Sequence, residues 1–364
     1  MDQPDANQTA AIYDLGRPIF DSHRKSSRPS RNGHRRWFVV IAMVIAVLLL
    51  GEAFGRVLAH RGAVPVRWNI EALPQQEQQM KALGSSGGAD VVVVGSSVAG
   101  AGFDPSLFTP STPGSYHSAY DAWVVGPNVT AMSFVAQHLA IPDLHPKAVV
   151  IVVTARELND NGTSQADLWN AITTSPAYNE VQGKETFLER LGDKLGRYSA
   201  LIRLRSVMRS PSAVLHALKS GPLTTAAQVA LAPRGNATDY NTPLQFSAAH
   251  ESQERQALAG FHFGGRQLTQ LENLVRALRR QGIRPLVVNY PVLHSVYDSL
   301  FPHPGQDQKY AAALKVAMKS IHADYLDADA AGWSRSDFSD ENHLNDKGRE
   351  RVTALVRQAL ASRS

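Results

Sequence analysis

The chain alternates between short, fully apolar runs and longer segments whose apolar residues return every three or four positions. Short runs rich in β-branched residues and bounded by polar residues or glycine predict strands covered on both faces. Apolar residues at helical spacing predict amphipathic helices. Strands that alternate with helices indicate a mainly parallel sheet in a three-layer α/β/α domain. The predicted strands are residues 91–94, 148–153, 285–290 and 324–327, and the clearest predicted helices are residues 266–281 and 346–360.

The middle of the chain interrupts this alternation. Between about residues 160 and 255 no strand-like run occurs, and the segment from Glu185 to Arg209 has leucines at helical spacing. We therefore predict a folded domain over residues 89–364 that carries a mostly helical insertion at about 160–255. Residues 59–88, with a Gly-Ser-rich joint near their end, are interpreted as a connector.

A long apolar run near the N-terminus predicts a membrane segment. It starts at Trp37, directly after a basic stretch without acidic residues, and extends to Leu58 if Glu52 and Arg56 lie near the outer interface. Basic residues beside an apolar run are typical of a cytoplasmic flank. We predict a transmembrane signal-anchor at 37–58, a disordered basic cytoplasmic tail at 1–36, and all later residues outside the cytoplasm. A cleaved export signal is the competing interpretation.

Composition narrows the function classes. Hydrophobic residues make up 43% of the 364 residues and charged residues 19%, which is enough for a folded core. The absence of cysteine excludes disulfides, thiolate nucleophiles and cysteine zinc sites. The net charge is +5, but the basic stretch adjoins the apolar run, so we expect it to flank a membrane and not to bind nucleic acid.

Two short motifs carry the candidate chemistry. The valine strand at 91–94 leads into Gly95-Ser96-Ser97, and a serine released at the end of a buried strand can act as a nucleophile. Asp340 precedes His343 by three residues, so one loop can present a base and the carboxylate that orients it. Each motif also has a structural explanation, since serine and the residues before the last helix could simply cap helices. We expect no metal and no cofactor, because no clustered set of ligands stands out.

These motifs resemble the SGNH, or GDSL-type, hydrolase superfamily. The resemblance covers about residues 89–156 and 265–360, and it is strongest to the membrane-anchored, extracytoplasmic branch that includes polysaccharide O-acetyltransferase-type proteins. It implies an SGNH/flavodoxin-like fold. By the same resemblance Ser97 matches the nucleophile, His343 the base and Asp340 the carboxylate, while Ser96 replaces the usual aspartate before the nucleophile.

The resemblance also implies an oxyanion hole. Gly126 matches the second-block glycine whose N–H helps to build it. The third block departs from the Gly-x-Asn-Asp pattern, because the chain has Thr154-Ala155-Arg156-Glu157-Leu158-Asn159-Asp160 after the strand. Asn159 could be the oxyanion asparagine displaced by three residues, or Arg156 could occupy its place. Both side chains offer donors, and the arginine could instead bind an anionic group of the substrate.

The motifs and the apolar segment together predict a membrane-tethered, extracytoplasmic serine esterase or O-acyltransferase that acts on a glycan ester. Its expected partners are the glycan or ester substrate, the membrane and, as one option, a membrane acyltransferase. Two alternatives stay open. One is a lipase- or thioesterase-like hydrolase of lipid or small esters. The other is a catalytically silent protein that binds a glycan or an acyltransferase.

Overall fold

The computed structural model describes most of the chain from residue 31 onward. The described residues are 31–60, 67–68, 70, 72–110, 116–184, 186–196, 198–208, 214–215, 218–219, 231–237 and 247–362. The predicted tail before residue 31, and parts of the predicted connector and insertion, lie outside this range. The chain divides into two compact units, Met1–Ala53 and Phe54–Ser364.

A parallel sheet of five strands forms the centre of the second unit. The strand order is β2-β1-β3-β4-β5, and every pair of neighbours is parallel. The α/β fold class predicted from the hydrophobic pattern is therefore confirmed. The strands are β1 at Val91–Val94, β2 at Ala119–Asp121, β3 at Ala148–Val153, β4 at Arg284–Asn289 and β5 at Asp324–Asp327.

Both faces of the sheet are covered, which explains why the strands are continuously apolar. Val92 and Val94 belong to one core cluster, while Val91 and Val93 belong to a second cluster on the other face. All four residues are fully buried. Successive side chains of a strand point to opposite faces, so a strand between two helical layers must be apolar at every position.

Helices follow most strands and supply the two outer layers. The predicted helix at 266–281 ends at Arg280, and Gly282 behind it has a φ of 75°, as a glycine that follows a helix end commonly does. The helices are α1 Arg31–His60, α2 Leu73–Gly84, α3 Ser97–Gly102, α4 Val129–Val135, α5 Ile141–Leu144, α6 Thr163–Thr173, α7 Pro176–Val181, α8 Phe187–Gly196, α9 Ala200–Arg203, α10 Arg205–Met208, α11 Ala248–Ala257, α12 Arg266–Arg280, α13 His294–Tyr297, α14 Gln306–Ser320 and α15 Asp346–Ala361, with a π-helical turn at Ala136–Ala140.

The predicted helix from Glu185 to Arg209 is wrong as a single element. The chain forms three short helices there, α8, α9 and α10. The break has a local cause, because α8 ends at Gly196 and Ser199 starts a new helix by accepting a hydrogen bond from the N–H of Ile202. Leucine spacing predicted the helical content correctly but not the turn, since serine competes for backbone N–H groups.

Among the described residues, one helix is long and apolar enough to cross a membrane. It covers Arg36–His60. Its apolar side chains are largely exposed, with Trp37 at 69% and Leu50 at 71% of their full accessible area. A membrane anchor and a signal sequence near the N-terminus both fit this length and composition.

Candidate active site

Ser97 lies where β1, an inner strand of the sheet, passes into a helix. β1 ends at Val94, and α3 begins at Ser97 after the two-residue turn Gly95-Ser96. The hydroxyl of Ser96 accepts a hydrogen bond from the N–H of Val98 and so caps the helix. Because the neighbouring serine is the cap, the side chain of Ser97 is not needed for capping.

The last helix is preceded by the loop that carries Asp340 and His343. An antiparallel bridge between Phe338 and Leu344 closes this loop, and Asn345 caps α15 by accepting the N–H of Gly348. Asp340 Oδ1 accepts the backbone N–H of His343 at 2.7 Å. Contacts within residues 338–348 therefore hold this loop around the carboxylate.

The structure brings the three predicted residues together across 246 positions of sequence. His343 Nε2 lies 2.9 Å from Ser97 Oγ, and His343 Nδ1 lies 2.8 Å from Asp340 Oδ2. An ionised carboxylate only accepts hydrogen bonds, so Nδ1 carries the ring proton and Nε2 presents its lone pair to the serine hydroxyl. Both distances are within the reach of proton transfer.

The carboxylate of Asp340 is held in its ionised form. Burial pushes its pKa upward, but the charge of His343 and the hydrogen bonds from His343 and Asn342 prevail and lower the pKa to about 2. The two rival carboxylates of this segment have other partners. Asp337 pairs with Lys347 at 2.6 Å, and Glu341 pairs with His250 at 2.9 Å.

Gly126 lies in a turn that requires glycine. Its φ is 58°, and an added Cβ would come within 3.0 Å of the guanidinium nitrogen Nη2 of Arg156. This turn follows β2 and is tied to the end of β1, because the carbonyl of Gly95 accepts the N–H of Val124 at 3.0 Å. Gly126 and Arg156 are thus neighbours near the end of the strand that carries Ser97.

The two candidates of the third block differ in what their side chains bind. Arg156 forms an ion pair with Glu254, whose side chain is fully buried in α11. Burial raises the pKa of Glu254, and the charge of Arg156 opposes that rise. The guanidinium is therefore fixed beside Gly126.

Asn159 holds a loop together instead. Its side-chain Nδ2 donates to the carbonyls of Ala257 at 2.8 Å and Ala259 at 3.5 Å. Its Oδ1 accepts the N–H groups of Asn161 and His262 at 3.2 and 3.0 Å. Both N–H groups of the Asn159 amide already donate to these carbonyls. This argues against Asn159 as the displaced oxyanion asparagine and favours Arg156 as the oxyanion candidate of the third block.

A second histidine lies at the site and was not predicted from the sequence. His250, on α11, packs its ring 5.5 Å from the ring of His343, and its Nδ1 lies 3.8 Å from Asp340 Oδ2. The hydrogen bond to Glu341 is the largest cause that raises the pKa of His250, and burial opposes it. No spacing in the sequence connects α11 to the loop that carries Asp340 and His343, so only the folded chain identifies this neighbour.

His250, Asp340 and His343 also present potential metal-ligand atoms within 4.8 Å of one another. A metal on Nδ1 of His343 would compete with the Asp340 hydrogen bond. Nδ1 of His343 already bonds to Asp340 and Nε2 to Ser97, so both ring nitrogens have partners without an ion.

Comparisons with known proteins add little. No protein-family model matches the chain, and no curated protein matches it. One similar solved structure is that of a proposed acylhydrolase from Bacteroides fragilis NCTC 9343, with 11% sequence identity, a TM-score of 0.40, and coverage of 80% of this chain and 96% of that chain. A likeness this distant carries no functional weight, so the function rests on the geometry of the site.

Proposed function

We propose that this chain is a membrane-tethered serine esterase or O-acyltransferase. The observation that carries the proposal is the continuous contact from Ser97 through His343 to Asp340, at 2.9 and 2.8 Å. Nucleophilic acyl transfer needs a hydroxyl, a base within reach of it, and a group that orients the base. Ser97 is held at the start of α3, and Asp340 and His343 are held by the loop before α15.

In the first step, Ser97 Oγ attacks the ester carbonyl while His343 Nε2 takes the hydroxyl proton. Asp340 keeps the imidazole in the required tautomer and stabilises the imidazolium. The tetrahedral intermediate collapses as the ester C–O bond breaks, and the imidazolium gives its proton to the departing alcohol. Water or an acceptor hydroxyl then attacks the acyl carbon and gives its proton to His343. The bond between the acyl carbon and Ser97 Oγ breaks, and the imidazolium returns the proton to Oγ.

The oxyanion needs donors at the position where negative charge develops. The first N–H groups of a helix have no acceptor within the helix, and Ser97 is the first residue of α3. The proposed donors are the N–H groups of Ser97 and Gly126, with Arg156 beside Gly126 adding positive charge. Removing one such donor typically raises the barrier by about 2.7–4 kcal/mol.

The surroundings of the triad favour a polar substrate over a lipid. His250 lies beside His343, Glu341 and Glu254 each contact His250, and Arg156 pairs with Glu254. Charged side chains of this kind suit a sugar ester, whereas a lipid chain needs an apolar groove. We therefore expect acetylated oligosaccharides to be turned over faster than long-chain fatty acyl esters. The opposite ranking would support the lipase-like alternative.

A serine-reactive phosphonate tests the nucleophile. The full chain in detergent micelles should gain one phosphonyl group, and peptide mass spectrometry should locate it on Ser97. The Ser96→Ala variant serves as the matched control and should be labelled equally, since Ser96 has a capping role only. Absence of label on Ser97 in the folded wild-type chain would support the catalytically silent alternative.

The proposed location is the outer face of a cell membrane, with the N-terminus inside. It is supported by the apolar helix Arg36–His60 and the basic residues that precede it. Protease added to intact spheroplasts should digest the domain that carries Ser97. Digestion only after the membrane is lysed would contradict this topology.

A further inference from the structure

A second cluster of ionisable groups lies just beyond the C-terminal end of β4 and shares no residue with the triad. His294 starts α13, a few residues after β4 ends, and three aspartates surround its ring. Its Nδ1 lies 3.0 Å from Asp298 Oδ1 and 3.1 Å from Asp307 Oδ2, and its Nε2 lies 2.9 Å from Asp329 Oδ2. His294 and Asp298 lie one helical turn apart, whereas Asp307 and Asp329 come from two further segments, so the fold has assembled the cluster.

We propose that His294, Asp298 and Asp307 bind one divalent cation of the Zn²⁺ class through His294 Nδ1, while Asp329 holds the other ring nitrogen. This site goes beyond the proposed esterase function and uses none of its residues.

The arrangement of the donor atoms supports this assignment. Tetrahedral zinc with bonds of about 2.0–2.2 Å places neighbouring ligand atoms about 3.3 Å apart. The separations of Nδ1 from the two carboxylate oxygens, 3.0 and 3.1 Å, are close to that value. A single N–H is directed at one acceptor, so two oxygens around Nδ1 fit a cation better than a ring proton.

The other side of the ring fits the same assignment. A metal-bound histidine usually donates its second ring N–H to a carboxylate, which fixes the ring and strengthens it as a ligand. Asp329 takes this position at Nε2, and it is held in turn because its Oδ1 accepts the N–H of Val292 at 3.2 Å.

The charge of the cluster is unbalanced without a cation. Within the part of the chain that the structure describes, the ion pairs of Asp298, Asp307 and Asp329 all go to His294. Three carboxylates therefore surround a single histidine ring.

A polar cavity beside the cluster is a second, independent indication of a ligand. Asp307 and Asp329 line a cavity of about 10 Å³, and its wall also contains Asn289 and Tyr310. The Oδ1 atom of Asn289 and the hydroxyl of Tyr310 are buried there and find no hydrogen-bond partner among the described residues. Buried polar atoms are rarely left unpaired, and a space of this size accommodates one water. Zinc with three protein ligands commonly binds a water as its fourth.

The site is accessible from solvent yet anchored in the fold. His294 is 44% exposed, whereas Asp307 is only 7% exposed. A cation there would join the segment after β4 to the start of α14, while Asp329 ties the segment after β5 to the His294 ring. It would also steady the catalytic loop, because Leu293, the residue before His294, donates its N–H to the carbonyl of Glu341 at 2.9 Å.

The test uses the full chain in detergent micelles after treatment with EDTA. Zinc is titrated calorimetrically, and bound metal is counted by mass spectrometry after desalting. We expect one equivalent in wild type. We expect the affinity to fall at least about 100-fold in His294→Asn and in Asp307→Asn, since even the loss of an outer partner usually costs 10–100-fold.

Two matched controls separate this site from the others. His262→Asn removes a surface histidine that contacts one aspartate, Asp160, and it should bind zinc like wild type. His250→Asn should also retain zinc, which excludes the group formed by His250, Asp340 and His343. Loss of zinc in His250→Asn with retention in His294→Asn would overturn the proposal.

Wild type alone can also overturn it. If the folded chain binds no zinc at micromolar concentrations, the cluster is an imidazolium bridge and not a metal site. Thermal unfolding gives a parallel readout, because a ligand that binds only the folded state raises its melting temperature. Zinc should raise the melting temperature of wild type and of His262→Asn, and it should leave that of Asp307→Asn unchanged.

Discussion

The rings of His343 and His294 both contact oxygen atoms of other side chains, but only the His343 ring can act as a general base. Each has both ring nitrogens within 3.1 Å of oxygen atoms of other side chains. His343 faces a carboxylate on one side and the hydroxyl of Ser97 on the other. His294 faces carboxylates on both sides. A general base needs one nitrogen with an available lone pair, and only His343 has one.

This difference shows that the second partner of a histidine decides its chemistry. One carboxylate orients the ring and supports a transient positive charge. Carboxylates at both nitrogens make the positive charge permanent, whether a proton or a metal ion supplies it. The pKa of His294, raised to about 11, would keep a ring without metal protonated at neutral pH and therefore inactive as a base.

The largest expected effect contrasts these two histidines directly. His343→Asn should lower the turnover of a small activated ester by at least about 10⁴-fold, because the base and the serine act as a unit. His294→Asn should retain catalysis within about tenfold, as a change in a supporting residue outside the reacting groups. Steady-state kinetics with the full chain in micelles measures both.

Circular dichroism must show that both variants are folded before their kinetics are compared. Equal losses in the two folded variants would contradict the assignment of separate roles to the two histidines.

A smaller loss of activity is expected for variants of Arg156, the oxyanion candidate of the third block. Arg156→Ala should lower both kcat and kcat/KM by about 10²–10³-fold if the guanidinium stabilises the oxyanion. A rise in KM with kcat unchanged would instead identify a clamp for an anionic substrate group. Asn159→Ala should mainly lower the melting temperature, because it removes bonds to Ala257 and Ala259.

The ion pair of Arg156 needs its own control, since breaking a buried pair typically costs about 3–5 kcal/mol of stability. The double variant Arg156→Ala/Glu254→Gln removes the unpaired buried charge. If this double variant regains full activity, Arg156 has a structural role only and the oxyanion assignment fails.

The sequence predicted the elements whose signal is local. Four of the five strands were predicted within one residue at each end. Three of them, β1, β3 and β4, are largely apolar runs rich in β-branched residues, which are distinctive of strands between two helical layers. β2 was missed. Its three residues, Ala119–Asp121, are short and mixed in character, and they become a strand only by pairing with β1.

The same distinction applies to the site, where residues in local motifs were predicted and residues joined only by tertiary packing were not. Ser97, Asp340 and His343 lie in short motifs at element ends, so their local context identified them. His250 and the His294 cluster were not predicted, since their partners lie on other segments and no spacing connects them. Contacts such as the His250–Glu341 pair arise from tertiary packing and leave no periodic trace in the sequence.

The most direct test of the central claim compares two adjacent serines. Ser97→Ala and Ser96→Ala are measured against wild type with 4-nitrophenyl acetate, using the full chain in micelles. Ser97→Ala should lose at least about 10⁴-fold in turnover while its melting temperature stays close to that of wild type. Ser96→Ala should keep most of its activity and lose about 0.5–2 kcal/mol of stability as a helix cap. Undiminished turnover in folded Ser97→Ala, or no turnover in wild type, would contradict a catalytic Ser97.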